Sequence, residues 1–245
     1  MKRFPPEFSD LLTRRGLRLL NNPEAAGAEI FNGTRRYFAT YNNVIDPEKA
    51  EDCIRLMDAH LRPRLSVEQR RIPSDSISGM SEDYEERLCK TMHIKTTFLR
   101  RSNSGSYKAA EKIGLLQMMQ SESFVAFAEA TTGFKLARDW SQQVSCYEHG
   151  DYAGPHNDHH PEEEFMKDGF VDLHVMFTNR AVAHQYMVYE KNGHFSQVVD
   201  ISRPSGVSVY ELPFWHYTTP LHAKRGREAE ARRWLLLGTF QIERE

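Results

Sequence analysis

Three kinds of feature are scarce in this sequence of 245 residues, and each scarcity excludes a class of protein. The three cysteines, Cys53, Cys89 and Cys146, are odd in number and far apart, which argues against a disulfide framework or a cysteine-based zinc site. No apolar run approaches the roughly 18 residues that a membrane span needs. The formal net charge of −2 gives no reason to expect nucleic acid or an anionic membrane as a partner.

The first residues also lack the marks of a targeting signal. The stretch MKRFPPEFSDLL is positively charged at its start but has no apolar core and no small-residue cleavage site, and Glu7 and Asp10 are untypical of a transit peptide. Because the cysteines are few and widely separated, the reducing cytoplasm is the predicted compartment. The 40% hydrophobic and 27% charged content is ordinary for a globular protein.

Histidine is distributed unevenly along the chain. Of the eleven histidines, only His60 and His93 come before residue 149, and nine lie between residues 149 and 222. Histidine is a common metal ligand and general base. We therefore expect the chemistry of this protein in its C-terminal half.

The order of polar, helical and β-prone segments predicts one domain preceded by an N-terminal extension. Residues 1–35 are polar and irregular and are predicted to be an N-terminal extension, followed by a single domain over residues 36–245. Helical support is predicted over about residues 36–135 and a β-barrel over about residues 136–245. In the second part, short β-prone runs alternate with turn signals, as in an antiparallel sandwich or barrel.

Local signals predict particular elements. Asp46 and Pro47 are typical of a helix N-cap and first helical position, and a second helical stretch, broken near Ser121, ends at Gly133. Six β-prone runs are predicted as strands: WSQQVSCYE, FVDLHVMFTN, HQYMVYE, FSQVVDI, GVSVYEL and RRWLLLGTFQIE. Asn192-Gly193 predicts a hairpin turn. Residues 63–83 are predicted to be a loop that could cover a site, and KTTFLRRSNSGSYK a solvated basic face.

The run His156-Asn157-Asp158 is the first candidate for chemistry. In an extended segment, residues two apart point to the same side, so an imidazole and a carboxylate would converge. A third ligand from a later strand would complete a 2-His-1-carboxylate triad, which leaves open positions on iron. The tripeptide alone is a weak signal, because many proteins contain it by chance.

The residues around this tripeptide carry a more specific signal. The positions Gln143, Val144, Tyr147, Gly150, Tyr152, His156 and Asp158 resemble the iron-binding strand of the prolyl-4-hydroxylase-like 2-oxoglutarate oxygenases. The interval from Gly150 to Tyr152 is one residue shorter than in that family. The resemblance extends patchily over about residues 38–242. It implies a mainly β fold with flanking helices, namely a double-stranded β-helix, also called a jelly roll or cupin-like barrel.

The same resemblance implies the third ligand and the cosubstrate site. HYTTPL resembles the family's distal histidine run and favours His216, whereas His222 lies nearer to the downstream arginines; we predict His216, with His222 as the alternative. The final strand begins RRW, and the arginine before the aromatic residue, Arg233, is implied to bind the 2-oxoglutarate carboxylate. Arg232 is expected on the exposed side of the strand. Tyr147 is implied to line the same pocket, with a packed core tyrosine as the alternative.

Together these features predict an Fe(II)- and 2-oxoglutarate-dependent dioxygenase. It would use O2, and ascorbate as an optional reductant, to hydroxylate a C–H bond of a protein side chain, a free amino acid or a small metabolite. Two other classes remain open from the residues: a cupin-like zinc hydrolase or isomerase, and a non-catalytic member of the fold that binds a metal or ligand. His159, His160 and Glu162–Glu164 are predicted to be exposed polar residues, and His174, His184 and His194 to be structural.

Overall fold

The structure is a computed structural model that describes residues 2–27, 31, 38–71, 91–158 and 169–243. Its helices in these ranges are α1 Arg14–Asn21, α2 Pro47–His60, α3 Gly105–Lys112, α4 Leu115–Met119 and α5 Glu122–Thr132, with 3-10 turns at Phe8–Leu11 and Arg62–Arg64. The strands are β1 Phe38–Tyr41, β2 Ser66–Arg71, β3 Thr91–Phe98, β4 Ser141–Tyr147, β5 Tyr152–Ala153, β6 Phe170–Thr178, β7 Val182–His184, β8 Tyr186–Lys191, β9 His194–Asp200, β10 Gly206–Leu212, β11 His216–Thr218, β12 His222–Ala223 and β13 Arg233–Gln241.

The predicted helix signals are confirmed. One carboxylate oxygen of Asp46 accepts hydrogen bonds from the backbone N–H groups of Glu48 and Lys49, at 3.0 and 3.1 Å, and so caps α2. The second helical stretch is broken into α4 and α5, and α5 starts immediately after Ser121. Gly133 ends α5 with a φ of 75°, in the left-handed region that favours glycine.

The N-terminal residues contribute to the hydrophobic core. Phe4, Phe8, Leu11 and Leu19 are buried together with the apolar side chains of the helices. The ring of Phe8 packs edge-on against Phe124 of α5, with the ring centroids 5.4 Å apart. The first segment of the chain is therefore packed on the body of the protein, whereas the domain boundary at residue 35 stays a prediction.

Three antiparallel sheets form the β part. The largest has the strand order β1-β10-β6-β13-β4-β3-β2, with β5 paired to β3. A second sheet has the order β11-β8-β9, and β12 pairs with β7. Strand β13 lies between β6 and β4 in the large sheet, so it runs beside the strand that carries Gln143, Val144 and Tyr147 of the resemblance.

The large sheet has two faces of different composition. We call outer the face that carries Val171, Leu173, Val175 and Phe177 of β6, which are buried in one hydrophobic cluster with the helices. We call inner the opposite face, which carries the alternate residues of β6: Phe170, Asp172, His174, Met176 and Thr178. The inner face packs against the smaller sheets, with Met176 and Tyr210 in the same cluster as Met187 and Leu221.

All six predicted β runs lie in strands, and the hairpin is confirmed. The strands β8 and β9 are joined by Asn192 and Gly193, with φ values of 57° and 80°. Positive φ at both central residues is the requirement of the turn that best fits a two-residue hairpin. The Asn-Gly dipeptide was thus a reliable signal here.

Two segments differ from the prediction. Ser66–Arg71, within the predicted loop of residues 63–83, is strand β2, and the basic stretch after residue 94 is divided between β3 and α3. The stretch predicted as helical support therefore also supplies β1, β2 and β3. Residues 72–83 of the predicted loop lie outside the described part of the chain. In the described ranges, every helix is too short or too polar to cross a membrane.

Candidate metal centre

A pair of backbone hydrogen bonds joins the two histidines predicted to bind iron. The N–H of His156 donates to the carbonyl of His216 over 3.0 Å, and the N–H of His216 donates to the carbonyl of His156 over 2.9 Å. Their imidazole rings lie 4.4 Å apart, centroid to centroid. The segment after β5 and the start of β11 are therefore cross-strand neighbours that hold the two rings side by side.

A backbone carbonyl two residues earlier in the chain orients each imidazole. Nδ1 of His156 lies 2.6 Å from the carbonyl oxygen of Gly154, and Nδ1 of His216 lies 2.9 Å from that of Phe214. Because a carbonyl only accepts hydrogen bonds, Nδ1 is the nitrogen that carries the proton in the neutral form of each ring. Both Nε2 atoms then carry the free lone pair that a metal requires.

Asp158 brings its carboxylate to these two nitrogens. Its Oδ1 lies 3.4 Å from Nε2 of His156, and its Oδ2 lies 3.5 Å from Nε2 of His216. The three side chains each offer a ligand atom, all within 4.8 Å of one another. In the part of the chain that the structure describes, this is the only such group of at least three histidine, cysteine or acidic side chains.

The backbone at Asp158 does not have the conformation of a regular strand. Asp158 has a φ of 54°, in the left-handed region, which aspartate tolerates better than most residues. The extended conformation assumed for His156-Asn157-Asp158 therefore does not hold through Asp158. A turn of the chain at Asp158, rather than strand alternation, directs its carboxylate toward the histidines.

Burial sets the protonation state of the site. Burial, with a smaller contribution from the neighbouring His156, lowers the pKa of His216 to about 4. At neutral pH the His216 ring is thus neutral, the form that binds a metal. The side chain of His216 is only 7% exposed, whereas that of Asp158 is 32% exposed, so the group is reached from the side of Asp158.

These residues fit a divalent iron. Two imidazole nitrogens and one carboxylate are the donor set of the facial triad, and each imidazole is already oriented by a hydrogen bond at its second nitrogen. His156, Asp158 and His216 are therefore brought together by the fold, as the proposed ligand set requires.

The alternative ligand His222 lies elsewhere. It is exposed on β12, where it pairs with His184 of β7. Its ring stacks on that of His184, with the centroids 4.7 Å apart, and it is not a member of the metal-binding group. His159, His160 and Glu162–Glu164 lie outside the described residues.

Arg233 is buried on the inner face at the start of β13. Arg233 is 1% exposed. Its guanidinium donates to the carbonyl of Ile201 over 3.0 Å and to Oε1 of Gln185 over 3.1 Å. Among the described residues, no carboxylate forms an ion pair with it. A buried, permanently charged guanidinium paired only with neutral groups is suited to receive an anionic ligand.

Tyr147 lies beside Arg233 in the paired strands β4 and β13. The guanidinium carbon of Arg233 is 4.8 Å from the centre of the Tyr147 ring. Burial raises the pKa of the Tyr147 phenol, while the charge of Arg233 and a hydrogen bond with Thr218 oppose this rise. Tyr147 therefore lies at the predicted pocket as a neutral phenol packed on the arginine.

The expectation that Arg232 is exposed is wrong. Arg232 is 7% exposed, and its guanidinium donates to the carbonyls of Ala231 and Ala229 over 2.7 and 2.8 Å. Its Nε also lies 3.5 Å from the carboxylate of Glu148. Strand alternation does place it opposite Arg233, but local carbonyls and an acidic partner make its burial favourable.

Sequence reasoning missed Gln185, which is fully buried. Its Oε1 accepts from Arg233, and its Nε2 donates to the carbonyls of Thr219 and Asp151, at 3.0 and 3.3 Å. No periodicity marks it, because it stands between β7 and β8. A polar residue inside an otherwise β-prone run was the only available signal.

Comparison with known structures agrees with this description. A prolyl hydroxylase from Trichoplax adhaerens, in complex with a hypoxia inducible factor peptide, is 12% identical with a TM-score of 0.51, covering 93% of this chain and 90% of its own. An oxidoreductase of the 2OG-Fe(II) oxygenase family from Burkholderia pseudomallei is 14% identical with a TM-score of 0.51, covering 99% and 95%. The non-heme alpha ketoglutarate dependent carbocyclase SnoK from nogalamycin biosynthesis is 10% identical with a TM-score of 0.52, covering 97% and 87%.

These similarities identify the fold. No protein-family model and no curated protein matches the sequence. At such identities the structural likeness concerns architecture alone. The chain therefore has the jelly-roll fold of the 2-oxoglutarate and iron oxygenases, prolyl hydroxylases among them, and the predicted fold class is confirmed.

Proposed function

We propose that this protein is an Fe(II)- and 2-oxoglutarate-dependent dioxygenase that hydroxylates a C–H bond. The observation that carries the proposal is the convergence of His156, Asp158 and His216, with both Nε2 atoms turned toward the carboxylate by backbone carbonyls. The fold is that of enzymes of this class. The substrate is a protein side chain, a free amino acid or a small metabolite.

Each residue has a defined task. His156, Asp158 and His216 hold the metal and leave its other positions open. Arg233 binds the far carboxylate of 2-oxoglutarate, while Gln185 and the carbonyl of Ile201 fix the guanidinium. Bound iron and 2-oxoglutarate supply the oxidation of a C–H bond by O2, coupled to formation of succinate and carbon dioxide.

Arg233 favours this reaction over that of a zinc hydrolase. Such an enzyme needs metal ligands of similar type but has no need for a buried guanidinium on the last strand. Here the guanidinium is buried and makes its contacts with neutral oxygens. Burial of an unpaired charge is costly, so a site that keeps one is adapted to an anion.

Succinate production by iron-loaded protein tests the proposal. Anaerobically prepared protein receives Fe(II), 2-oxoglutarate and ascorbate, and succinate is measured after O2 is admitted. We expect succinate from the wild type, even without a substrate, and its loss in His216→Ala because one metal ligand is removed. His222→Ala is the matched control, since His222 is an exposed histidine six residues further along the chain and outside the group. It should behave as the wild type.

The other classes make different predictions in the same experiment. Activity that requires zinc and ignores 2-oxoglutarate would replace the proposal with a hydrolase or isomerase. Binding of iron and 2-oxoglutarate, with no succinate above the His216→Ala background, would leave a non-catalytic binding protein. Equal losses in His216→Ala and His222→Ala would contradict the assigned ligand.

The cellular setting is part of the proposal. We place the enzyme in the cytoplasm, where Fe(II) is kept reduced, and expect no nucleic acid or membrane partner. Cys53 and Cys146 are buried free thiols, in keeping with a reducing compartment. Burial raises the pKa of both thiols, so they remain protonated and take no part in the chemistry.

A further inference from the structure

The inner face carries two buried polar side chains that the proposed function does not use. Asp172 and His174 lie on β6 and are 5% and 8% exposed. Within the part of the chain that the structure describes, Oδ1 of Asp172 and Nε2 of His174 have no hydrogen-bond partner. Buried polar atoms are normally paired, and an unpaired buried carboxylate oxygen is especially costly.

Asp172 and His174 do not satisfy each other's unpaired atoms by a hydrogen bond. Nε2 of His174 lies 3.7 Å from Oδ2 of Asp172, which is beyond hydrogen-bond distance. Burial raises the pKa of the Asp172 carboxyl, and the neighbouring side chains of His174 and Thr239 only partly oppose this rise. Oδ1 of Asp172, an acceptor, therefore remains available to a group that donates hydrogen bonds, with the unpaired Nε2 of His174 beside it.

The pair lies next to the candidate metal centre. The His174 ring is 4.0 Å from the ring of Tyr210, centroid to centroid, and the Tyr210 ring is 5.8 Å from that of His216. The charge of Asp158 acts on Asp172 and contributes to its raised pKa. The ring of Tyr210 thus connects His174 with the ligand His216, and the unpaired atoms lie in the same part of the interior as the ligands.

Charge indicates what would bind there. In the proposed enzyme, the positive charges of Fe(II) and Arg233 are matched by Asp158 and by the two carboxylates of 2-oxoglutarate. An ionised Asp172 is then in excess, and a cation would neutralise it in a region of low dielectric constant. A protonated amine supplies both that charge and several donors.

We propose that Asp172, with His174 beside it, forms a substrate subsite that binds a protonated amine nitrogen. This inference rests on the proposed function and narrows its substrate to amine-bearing molecules, such as a free amino acid or a side-chain amine. The amine would lie at Oδ1 of Asp172, and the C–H bond to be hydroxylated would be held toward the metal. Asp172 is a positioning residue in this scheme, and no bond is made or broken at it.

Relaxation measurements with a non-reacting metal test the subsite without turnover. The protein is loaded with Mn(II) and 2-oxoglutarate, and the proton relaxation of n-butylammonium is compared with that of n-butanol, an uncharged probe of similar size. We expect the wild type to bring n-butylammonium closer to the metal and to bind it more tightly. In Asp172→Asn its affinity should fall about tenfold, because the charge of the carboxylate is lost and only a neutral amide oxygen accepts from the ammonium.

Controls separate the subsite from general effects. Asp139→Asn removes a charge from an exposed position between α5 and β4 and should leave the probe's affinity unchanged. Asp172→Thr removes the same charge with a different side chain and guards against misfolding of a single variant. Equal affinity for the two probes, or an undiminished preference in both Asp172 variants, would overturn the inference.

Metal binding is measured first, by titration of Mn(II). If the wild type does not bind Mn(II) at His156, Asp158 and His216, the proposed function fails, and the subsite fails with it. If Mn(II) binds normally but the ammonium preference is absent, only the subsite is wrong. The two failures are thereby distinguished.

Discussion

The two faces of β6 are both buried, but they differ in whether their side chains are apolar or polar. On the outer face, Val171, Leu173, Val175 and Phe177 are fully buried among apolar side chains of the helices. On the inner face, Asp172, His174 and Thr178 are almost as buried, yet each has an atom without a hydrogen-bond partner in the described part of the chain. The outer face therefore stabilises the fold, whereas the inner face retains polar groups at a cost in stability.

The largest difference in stability is expected between substitutions of two neighbouring residues on opposite faces of β6. Phe177→Ala removes a fully buried ring from the outer face, and the free energy of unfolding should fall by about 3–5 kcal/mol. Thr178→Val removes an unpaired buried hydroxyl from the inner face, and stability should change by less than about 1 kcal/mol, in the stabilising direction. Urea denaturation of both variants measures the difference. Comparable losses would show that the inner face is also optimised for stability.

A second contrast compares the two arginines at the start of β13. Arg233→Ala removes the proposed partner of the 2-oxoglutarate carboxylate, and the KM for 2-oxoglutarate should rise about a hundredfold. Arg232→Ala breaks hydrogen bonds to Ala229 and Ala231 and should lower the melting temperature with little change in KM. Steady-state succinate kinetics and thermal melting distinguish them. A larger KM effect in Arg232→Ala would reverse the assignment.

The smallest effect concerns the pH dependence of stability. Burial raises the pKa of Asp172 in the folded protein, so the folded state binds its proton more tightly than the unfolded state does. The stability of the wild type relative to Asp172→Asn should therefore decrease as pH rises above about 4, the ordinary aspartate value, and level off above the folded pKa. Urea denaturation of both proteins across this pH range measures the difference. A relative stability that increases with pH would show that Asp172 has a favourable partner.

The sequence predicted the elements that depend on local chemistry or apolar spacing. Asp46 and Pro47 marked the start of α2, Asn192-Gly193 marked the hairpin, and β-prone runs marked the central strands. Spacing suggested that His156 and Asp158 converge, and the resemblance added His216 to the proposed group. The HYTTPL run favoured His216 over His222, and the fold places His216 beside His156 and Asp158.

The missed features depend on long-range contacts. Strand β2, with the sequence SVEQRR, lies at the edge of the large sheet, so its side chains show no apolar alternation. The burial of Arg232 depends on Glu148, which lies far away in the sequence. The left-handed backbone of Asp158 is likewise set by surroundings that a tripeptide does not encode.

Gln185 has a consequence for how the two ligands of the proposed enzyme influence each other. This one amide contacts Arg233, the carbonyl of Asp151 just before β5 and the carbonyl of Thr219 just after β11. It thereby ties the cosubstrate anchor to both segments that carry histidine ligands. Ordering either end should lower the entropic cost of ordering the other, so we expect metal and 2-oxoglutarate to bind with positive cooperativity, equal in magnitude whichever binds first.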